Sequence, residues 1–204
     1  MSAPEVPRRR GRPGHDQDAV LNAAVRLFNE QGYDATSMFD IAESLGITKS
    51  SVYHHISGKE QLLQMAMDRA LDGLFEAADE VRSADGPALD RLERLIRSSV
   101  LVLAERLEFV TLLLRVRGNT AVEQRALARR RIFDARVTDL VKQAQAEGGV
   151  RPDIDPAIAA RLIFGMVNSL AEWYSPRRGG AAAMADAVAT IAFHGLRIGK
   201  DEGN

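Results

Sequence analysis

The sequence predicts an all-α fold, with an amino-terminal three-helix helix-turn-helix domain followed by a helical bundle. Apolar residues recur at three- and four-residue spacing through most of the 204 residues, as they do on one face of a helix. No segment alternates apolar and polar residues as a half-buried strand does. Glycine and proline fall between the periodic segments, where helices end.

Composition is typical of a globular protein, since 46% of the residues are hydrophobic and 27% are charged. The chain contains no cysteine, which excludes disulfides, thiol redox sensing and thiolate metal sites. No run of about 18 apolar residues suggests a membrane span, and the arginine-rich amino terminus is unlike a secretory signal. We therefore expect a cytoplasmic protein without a cofactor or a bound metal.

The first two predicted helices have clear start and stop signals. Residues 16–31 carry an apolar face and end before Gly32, a residue suited to terminating a helix. A second helix spans residues 37–45, because Ser37 stands three residues before Asp40, as in a capping box, and Gly46 follows its end. We expect a small core made of Leu27, Phe28, Ile41, Leu45, Val52 and Ile56.

A third helix begins directly after this turn, with the hydroxyl of Thr48 as its cap. Two helices joined by so short a turn form an angled pair. With Ile47, Val52 and Ile56 facing inward, the outer face carries Thr48, Lys49, Ser50, Ser51, Tyr53 and His54. Such side chains suit a DNA groove, because hydroxyls and lysine bind phosphate oxygens and the others reach base edges. The alternative is a helical hairpin with a solvated face.

The segment GYDATSMFDIAESLGITKSSVYHHISGKEQLL, residues 32–63, resembles the DNA-binding domain of the TetR family of bacterial transcriptional regulators. The resemblance extends back to Asp16 and implies a homodimeric repressor that binds a palindromic DNA operator and is released by a small-molecule effector. It also implies that Ser37 and Lys59 contact phosphate and that the outer residues of the third helix line the recognition surface. The implied parts are a basic arm at residues 1–15, a DNA-binding domain at 16–63, and a ligand-binding and dimerisation domain at 64–204.

A net charge of −1 is unusual for a DNA-binding protein, but the basic residues are unevenly distributed. The run RRRGRPGH carries Arg8, Arg9, Arg10 and Arg12 beside glycine and proline. A flexible arm of this kind binds phosphates or enters a narrow minor groove. We expect it to contact DNA and to raise affinity more than sequence selectivity. The alternative is a solubilising tail.

Six further helices are predicted after the third, at residues 58–81, 89–105, 108–116, 120–146, 156–174 and 180–198. The first of these continues one apolar stripe out of the DNA-binding domain, and we expect it to act as a lever. The last two carry broad apolar and alanine-rich surfaces, which suit a four-helix dimer interface across a two-fold axis. Two recognition helices about 34 Å apart then match a palindromic site. The alternative is a monomer in which both helices belong to the core.

Apolar and aromatic residues of the bundle are candidates for an effector site, and the same residues also fit a plain core. With one arginine they are Phe75, Leu112, Arg115, Phe133, Phe164, Met166, Trp173 and Tyr174. The stretch VNSLAEWYSPRRGG from Val167 resembles TetR-family regulators of fatty-acid, steroid and phenylacetate breakdown, which respond to acyl-coenzyme A thioesters. It implies an acyl-CoA effector, whose phosphates suit guanidinium groups. Arg115, Arg117, Arg177 and Arg178 either bind those phosphates or are solvated surface residues.

An enzymatic site is not apparent in the sequence. His54 and His55 diverge by about 100° on a helix and cannot chelate one metal as an i, i+4 pair does. The chain has no Glu–His pair at the spacing of bundle di-iron sites, no phosphate-binding glycine loop and no nucleophile elbow. A small-molecule-binding helical enzyme and a nonspecific DNA-binding protein are the alternatives, and the second kind is usually far more basic.

Overall fold

The computed structural model describes residues 17–54, 56–175 and 180–194, and every element in them is an α-helix. Their order is α1 (Gln17–Gln31), α2 (Met38–Ser44), α3 (Lys49–Tyr53), α4 (Lys59–Ser83), α5 (Ala88–Glu105), α6 (Leu107–Arg115), α7 (Ala121–Ala146), α8 (Pro156–Trp173) and α9 (Ala181–His194). The predicted limits agree within two residues, except that the predicted end of the last helix lies outside the described residues. In this part of the chain, no helix is long and apolar enough to cross a membrane.

Contacts divide the chain into two compact units, Met1–Leu62 and Leu63–Asn204, and the division falls near the start of α4. This boundary is a property of the packing alone. The functional limits of the arm and the two domains stay predictions.

The first unit has a small core that α1, α2 and α3 enclose together. Its fully buried side chains include Val20 and Val25 of α1, Ile41 of α2 and Val52 of α3. Three residues expected to face inward are only half-buried, namely Leu27, Leu45 and Ile47. Leu27 lies in the last turn of α1, and the other two belong to the α2–α3 turn, so all three lie at the rim of this core rather than inside it.

The second unit is organised around α5, which packs against α7, α8 and α9. Leu92, Leu95, Ile96 and Leu103 form its buried stripe. Pro87 offers no side-chain cap at the start of α5, and the Glu147 carboxylate from the end of α7 accepts the Ala88 N–H at 2.6 Å instead. A side chain from a distant helix therefore satisfies an amide that the local sequence leaves unpaired.

Gly73 of α4 allows a close approach by the α5–α6 junction. A Cβ at this position would lie 2.7 Å from Arg106 Nη1 and 2.9 Å from Val102 Cγ1. Because Gly73 has no side chain, the Arg106 guanidinium reaches the Arg69 carbonyl and donates to it at 2.8 Å. This hydrogen bond ties the middle of α4 to the end of α5.

One side of α8 is uncovered in the single protomer, although its composition predicts burial on several faces. Phe164, Val167 and Leu170 are buried, whereas Ile158 and Leu162 are 56% and 64% exposed. In one protomer α5, α6 and α7 cover the other side of the helix, and α9 has few contacts with it. Burial of the exposed side at a dimer interface stays a prediction.

Candidate nucleic-acid interface and effector cavities

The start of α2 is fixed by the capping box that the sequence predicts. The Asp40 N–H donates to Ser37 Oγ at 3.2 Å, and the Ser37 N–H donates to the Asp40 carboxylate at 2.7 Å. Ser37 is exposed, and this pair does not use its hydroxyl proton. Its position at the exposed start of the helix suits the predicted phosphate contact, which stays a prediction.

The turn between α2 and α3 is a glycine-terminated helix end. Gly46 has a φ of +64°, in the left-handed region that other residues rarely adopt. Its N–H donates to the Glu43 carbonyl at 3.0 Å, and the Ile47 N–H donates to the Ala42 carbonyl at 3.1 Å. This is a Schellman motif, and it reverses the chain so that α3 begins three residues after the glycine.

The outer side of α3 displays the side chains that the sequence placed there. Thr48 caps the helix, since its Oγ1 accepts the Ser51 N–H at 3.2 Å and lies 2.9 Å from Ser51 Oγ. Lys49, Ser50 and His54 are exposed, Tyr53 is 46% exposed, and Ser51 is half-buried. The Lys49 ammonium lies 5.8 Å from the centre of the Tyr53 ring. We call Thr48, Lys49, Ser50, Ser51, Tyr53 and His54 the recognition surface.

Lys59 has a structural role beside its predicted phosphate contact. Its Nζ donates to the carbonyls of Tyr33 and Asp34 at 2.7 and 3.3 Å and lies 4.3 Å from the centre of the Tyr33 ring. That ring in turn meets Phe28 edge-on at 5.2 Å. An ammonium with two N–H groups engaged keeps one for a phosphate oxygen, so the contact with DNA stays a prediction.

Phe39 is a surface aromatic outside the predicted set of DNA contacts. It lies on α2, two residues after Ser37, and its side chain is 59% exposed. The register of α2 was sufficient to find it, because Met38, Ile41 and Ala42 form the buried face and leave Phe39 outside. An exposed apolar ring on the first helix of the helix-turn-helix suits contact with a thymine methyl group or a deoxyribose.

Six predicted contact residues lie outside the described part of the chain. They are the arm residues Arg8, Arg9, Arg10 and Arg12, together with Arg177 and Arg178. Arg115 and Arg117, the other two arginines considered for the effector, are both exposed.

Three of the predicted effector-site aromatics form one row through the second unit. The Phe75 and Phe133 ring centres are 6.0 Å apart, and those of Phe133 and Phe164 are 5.2 Å apart, with both pairs edge-on. Phe133 and Phe164 are buried, and the guanidinium groups of Arg129 and Arg136 lie 5.4 and 4.9 Å from the Phe75 ring centre. These contacts are those of packed core residues.

A cavity of about 490 Å³ lies among α5, α7, α8 and α9. Its wall is mainly apolar and includes Leu92, Val141, Ile163, Met166 and Ile191, with Glu93, Arg151 and His194 as polar members. Met166 is the one residue of the predicted effector set that lines it. Of the others, Leu112 is buried, Tyr174 is half-buried and Trp173 is 56% exposed, so the eight residues do not converge on this cavity.

Two family models match most of the chain. The model described as bacterial regulatory proteins, tetR family, matches residues 20–66, which contain most of α1 and all of α2 and α3. The model described as tetracyclin repressor-like, C-terminal domain, matches residues 85–196. The first match coincides with the capping box, the glycine turn and the recognition surface.

Individual relatives are similar along most of the chain. The HTH-type transcriptional repressor KstR2 of Mycolicibacterium smegmatis is 28% identical over 181 residues, which cover 85% of each chain. A crystal structure of a TetR-family regulator from Streptomyces coelicolor A3 is 52% identical with a TM-score of 0.83, and the match covers 88% of this chain and 91% of that one. A structure of AibR in complex with isovaleryl coenzyme A and operator DNA is 30% identical with a TM-score of 0.71, covering 86% and 97%.

Proposed function

The chain belongs to the TetR family of bacterial transcriptional regulators, and we propose that it is a homodimeric repressor that binds a palindromic operator and is released by a small-molecule effector. The observation that carries the proposal is the recognition surface, an exposed set of polar and aromatic side chains on a short helix that a Schellman turn and a threonine cap hold in place. Such a regulator acts on DNA in the cytoplasm.

Some of the proposed DNA contacts position the protein on the duplex, and others recognise the base sequence. Lys49 and Ser37, with the arginines of the arm, neutralise or bond phosphate oxygens and set the register of the protein on the duplex. Ser50, Tyr53 and His54 present hydroxyl, phenol and imidazole groups to base edges in the major groove. Ser51 and Thr48 support this surface, because their hydroxyls are engaged with each other at 2.9 Å.

Dimerisation explains the uncovered apolar surface of the second unit. Ile158 and Leu162 of α8 and Ile191 of α9 are 56%, 64% and 44% exposed in one protomer. Leu162 and Ile191 also line the cavity of about 490 Å³, which therefore borders the proposed dimer contact. Burying a large aliphatic side chain contributes about 1.5 to 3 kcal/mol. A two-fold interface presents each of these residues twice, and two helices from each protomer then form a four-helix contact.

We propose an acyl-CoA thioester as the effector. AibR, which is 30% identical, has been crystallised with isovaleryl coenzyme A and operator DNA. The cavity of about 490 Å³ has a mainly apolar wall, which suits an acyl chain. Arg115 and Arg117, with Arg177 and Arg178 beyond the described residues, are the proposed partners of the coenzyme A phosphates.

Release of the repressor from its operator follows if the effector binds more tightly to one conformation of the dimer than to another. The effector favours dimers whose recognition helices no longer match the half-site spacing, and operator affinity falls by a factor set by the coupling free energy, on the order of 5- to 150-fold. The helix α4 begins in the DNA-binding unit and continues into the second one, so it is the proposed lever.

We propose no catalytic activity for this chain. Its relatives KstR2 and AibR are described as a repressor and as an operator-binding protein. Among the described residues, no group of three or more metal-ligating side chains is arranged to hold an ion. The competing proposal is nonspecific DNA binding, which predicts equal affinity for all sequences.

Selection from random-sequence duplexes tests the proposal. The purified full-length protein should enrich an inverted repeat, and at 0.15 M salt it should bind this sequence at least about 10³-fold more tightly than a shuffled one. The addition of isovaleryl coenzyme A should weaken binding to the repeat without weakening binding to the shuffled duplex. A specificity ratio close to one would favour nonspecific binding, and an unchanged affinity with a panel of thioesters would remove the proposed effector class.

A further inference from the structure

A groove of about 350 Å³ lies along the junction of α7 and α8, which pack against each other. The α7 side contributes Arg130, Asp134 and Thr138, and the α8 side contributes Arg161, Phe164 and Asn168. Apart from Phe164, none of these residues belongs to the effector set predicted from the sequence. The groove is therefore a distinct place in the second unit, separate in its lining from the cavity of about 490 Å³.

The groove is lined by more positive than negative side chains. Asp134 and Arg161 are exposed, and Arg130 is half-buried. Partial desolvation raises the pKa of the Asp134 carboxyl, whereas the positive charges of Arg130 and Arg161 lower it by a smaller amount. Within the described residues, neither guanidinium has an ion pair within 4.0 Å. Two arginines against one aspartate leave a positive site, which an added anion neutralises.

An apolar wall lies beside these arginines. The buried Phe164 ring forms part of the lining and is held edge-on by Phe133 at 5.2 Å. Val137, Ala157 and Ala160 extend this apolar wall, and Asn168 and Thr138 supply an amide and a hydroxyl. Gly165 has no side chain, and a Cβ added there would meet nothing within 4 Å, so the groove is open at this point.

We propose that the groove between α7 and α8 binds a small amphipathic anion, with its carboxylate or phosphate held by Arg130 and Arg161 and its carbon chain against Phe164. The inference goes beyond the proposed function, since it assigns to the second unit an anion site that is distinct from the cavity proposed for the acyl-CoA effector. Guanidinium groups match both kinds of oxyanion, so the shared chemistry is an oxyanion joined to a short apolar chain.

Calorimetric titration of the full-length dimer tests the assignment with three probes of equal chain length. Sodium octanoate and octyl phosphate should bind, and uncharged octanol should bind at least tenfold more weakly. The double variant Arg130→Ala/Arg161→Ala should weaken the two anions about tenfold or more, because each charge-assisted hydrogen bond contributes substantially to affinity. Preference between octanoate and octyl phosphate identifies the carboxylate or the phosphate as the natural head group.

Two further variants separate loss of the site from loss of the fold. Asp134→Asn removes the repelling carboxylate and should tighten the binding of both anions. Partial unfolding of the variant would weaken anion binding instead. Thr138→Phe should fill the groove from the α7 side and abolish binding, with the melting temperature and sedimentation of the dimer unchanged. Arg131→Ala is the matched control, because Arg131 is exposed on α7 and does not line the groove.

The proposal is overturned if neither anion binds the wild-type dimer at millimolar concentration, if the double variant binds both anions as wild type does, or if octanol binds as well as octanoate. Operator affinity without probe is measured for each variant in parallel. Normal operator binding with no probe binding would reject the groove alone, whereas failure of operator binding in the wild type would reject the proposed function.

Discussion

Replacing Arg129 with alanine should destabilise the second unit by about 2 kcal/mol. The Arg129 guanidinium bridges two carboxylates of α4, with Nη1 at 2.7 Å from Asp68 and Nη2 at 2.6 Å from Asp72. It also lies 5.4 Å from the centre of the Phe75 ring. Removing this side chain leaves two neighbouring carboxylates on α4 without their shared cation.

The expected loss of stability is modest because the charged side chains are partly exposed to solvent. The three charged side chains are 34%, 40% and 51% exposed, so each ion pair contributes only about 0.5 to 1 kcal/mol, and the contact with the ring contributes about as much. For a chain of this size, 1 kcal/mol corresponds to about 2 to 4 °C, so the melting temperature should fall by about 4 to 8 °C. Raising the salt from 0.05 to 1 M should shrink the difference, because these charges are partly exposed.

Thermal denaturation followed by circular dichroism, at one fixed dimer concentration, measures this effect. Arg131→Ala on the same helix is the matched control and should change the melting temperature by less than about 2 °C, in line with surface substitutions. Arg129→Lys should retain part of the stability, since it keeps the charge but not the fork that reaches both carboxylates. A loss in Arg129→Ala no larger than that of the control, or one independent of salt, would refute the reasoning.

Three further predictions concern a turn, a titrating group and the recognition surface. Glu123 is 5% exposed, and its Oε2 accepts hydrogen bonds from three backbone N–H groups of the turn after α6, at 2.8 to 3.1 Å. Glu123→Ala should therefore lower the free energy of unfolding in urea by about 3 kcal/mol. Glu123→Gln should lower it clearly less. Equal losses in both variants would contradict this role. Partial desolvation raises the pKa of the Asp134 carboxyl above its usual value, so the folded state binds this proton more tightly than the unfolded state does. The ionised group therefore lowers stability as pH rises through the folded pKa. Because the side chain is exposed and screened by solvent, Asp134→Asn should raise the melting temperature only slightly at pH 7, and the gain should vanish below about pH 4. A gain that persists at pH 3 would point to packing instead. Lys49→Ala should weaken binding to all DNA sequences and reduce the salt slope by about one, as measured by fluorescence anisotropy, whereas an unchanged slope would place its ammonium away from phosphate.

Local signals were sufficient to predict the helices and which side chains lie on the outer side of α3. The Ser37–Asp40 capping box, the Gly46 turn and the Thr48 cap each depend on residues within four positions of one another, and the structure forms all of them. Glu123 had a local signal as well, because Thr120 precedes it by three residues as in a capping box, and Thr120 Oγ1 accepts its N–H at 3.1 Å.

Packing between distant helices was not predictable in the same way. Which side of α8 stays exposed depends on which side α5, α6 and α7 cover. Hydrophobic periodicity cannot show this for a helix that is apolar nearly all round. For the same reason, the sequence did not distinguish the core residues Phe133 and Phe164 from Val141 and Ile191, which line the cavity. Lys59 gave no sequence signal for its bonds to Tyr33 and Asp34, which lie about 25 residues earlier in the chain.

Hydroxyl-radical footprinting of the dimer on an enriched inverted repeat tests the central claim most directly. If two recognition surfaces read one palindrome, the wild-type protein should protect two patches related by a two-fold axis and separated by about 10 base pairs, or about 34 Å. Deletion of residues 1–12 should weaken binding while keeping this pattern. Continuous protection without two-fold symmetry, or a pattern unchanged on a shuffled duplex, would contradict sequence-specific recognition by a dimer.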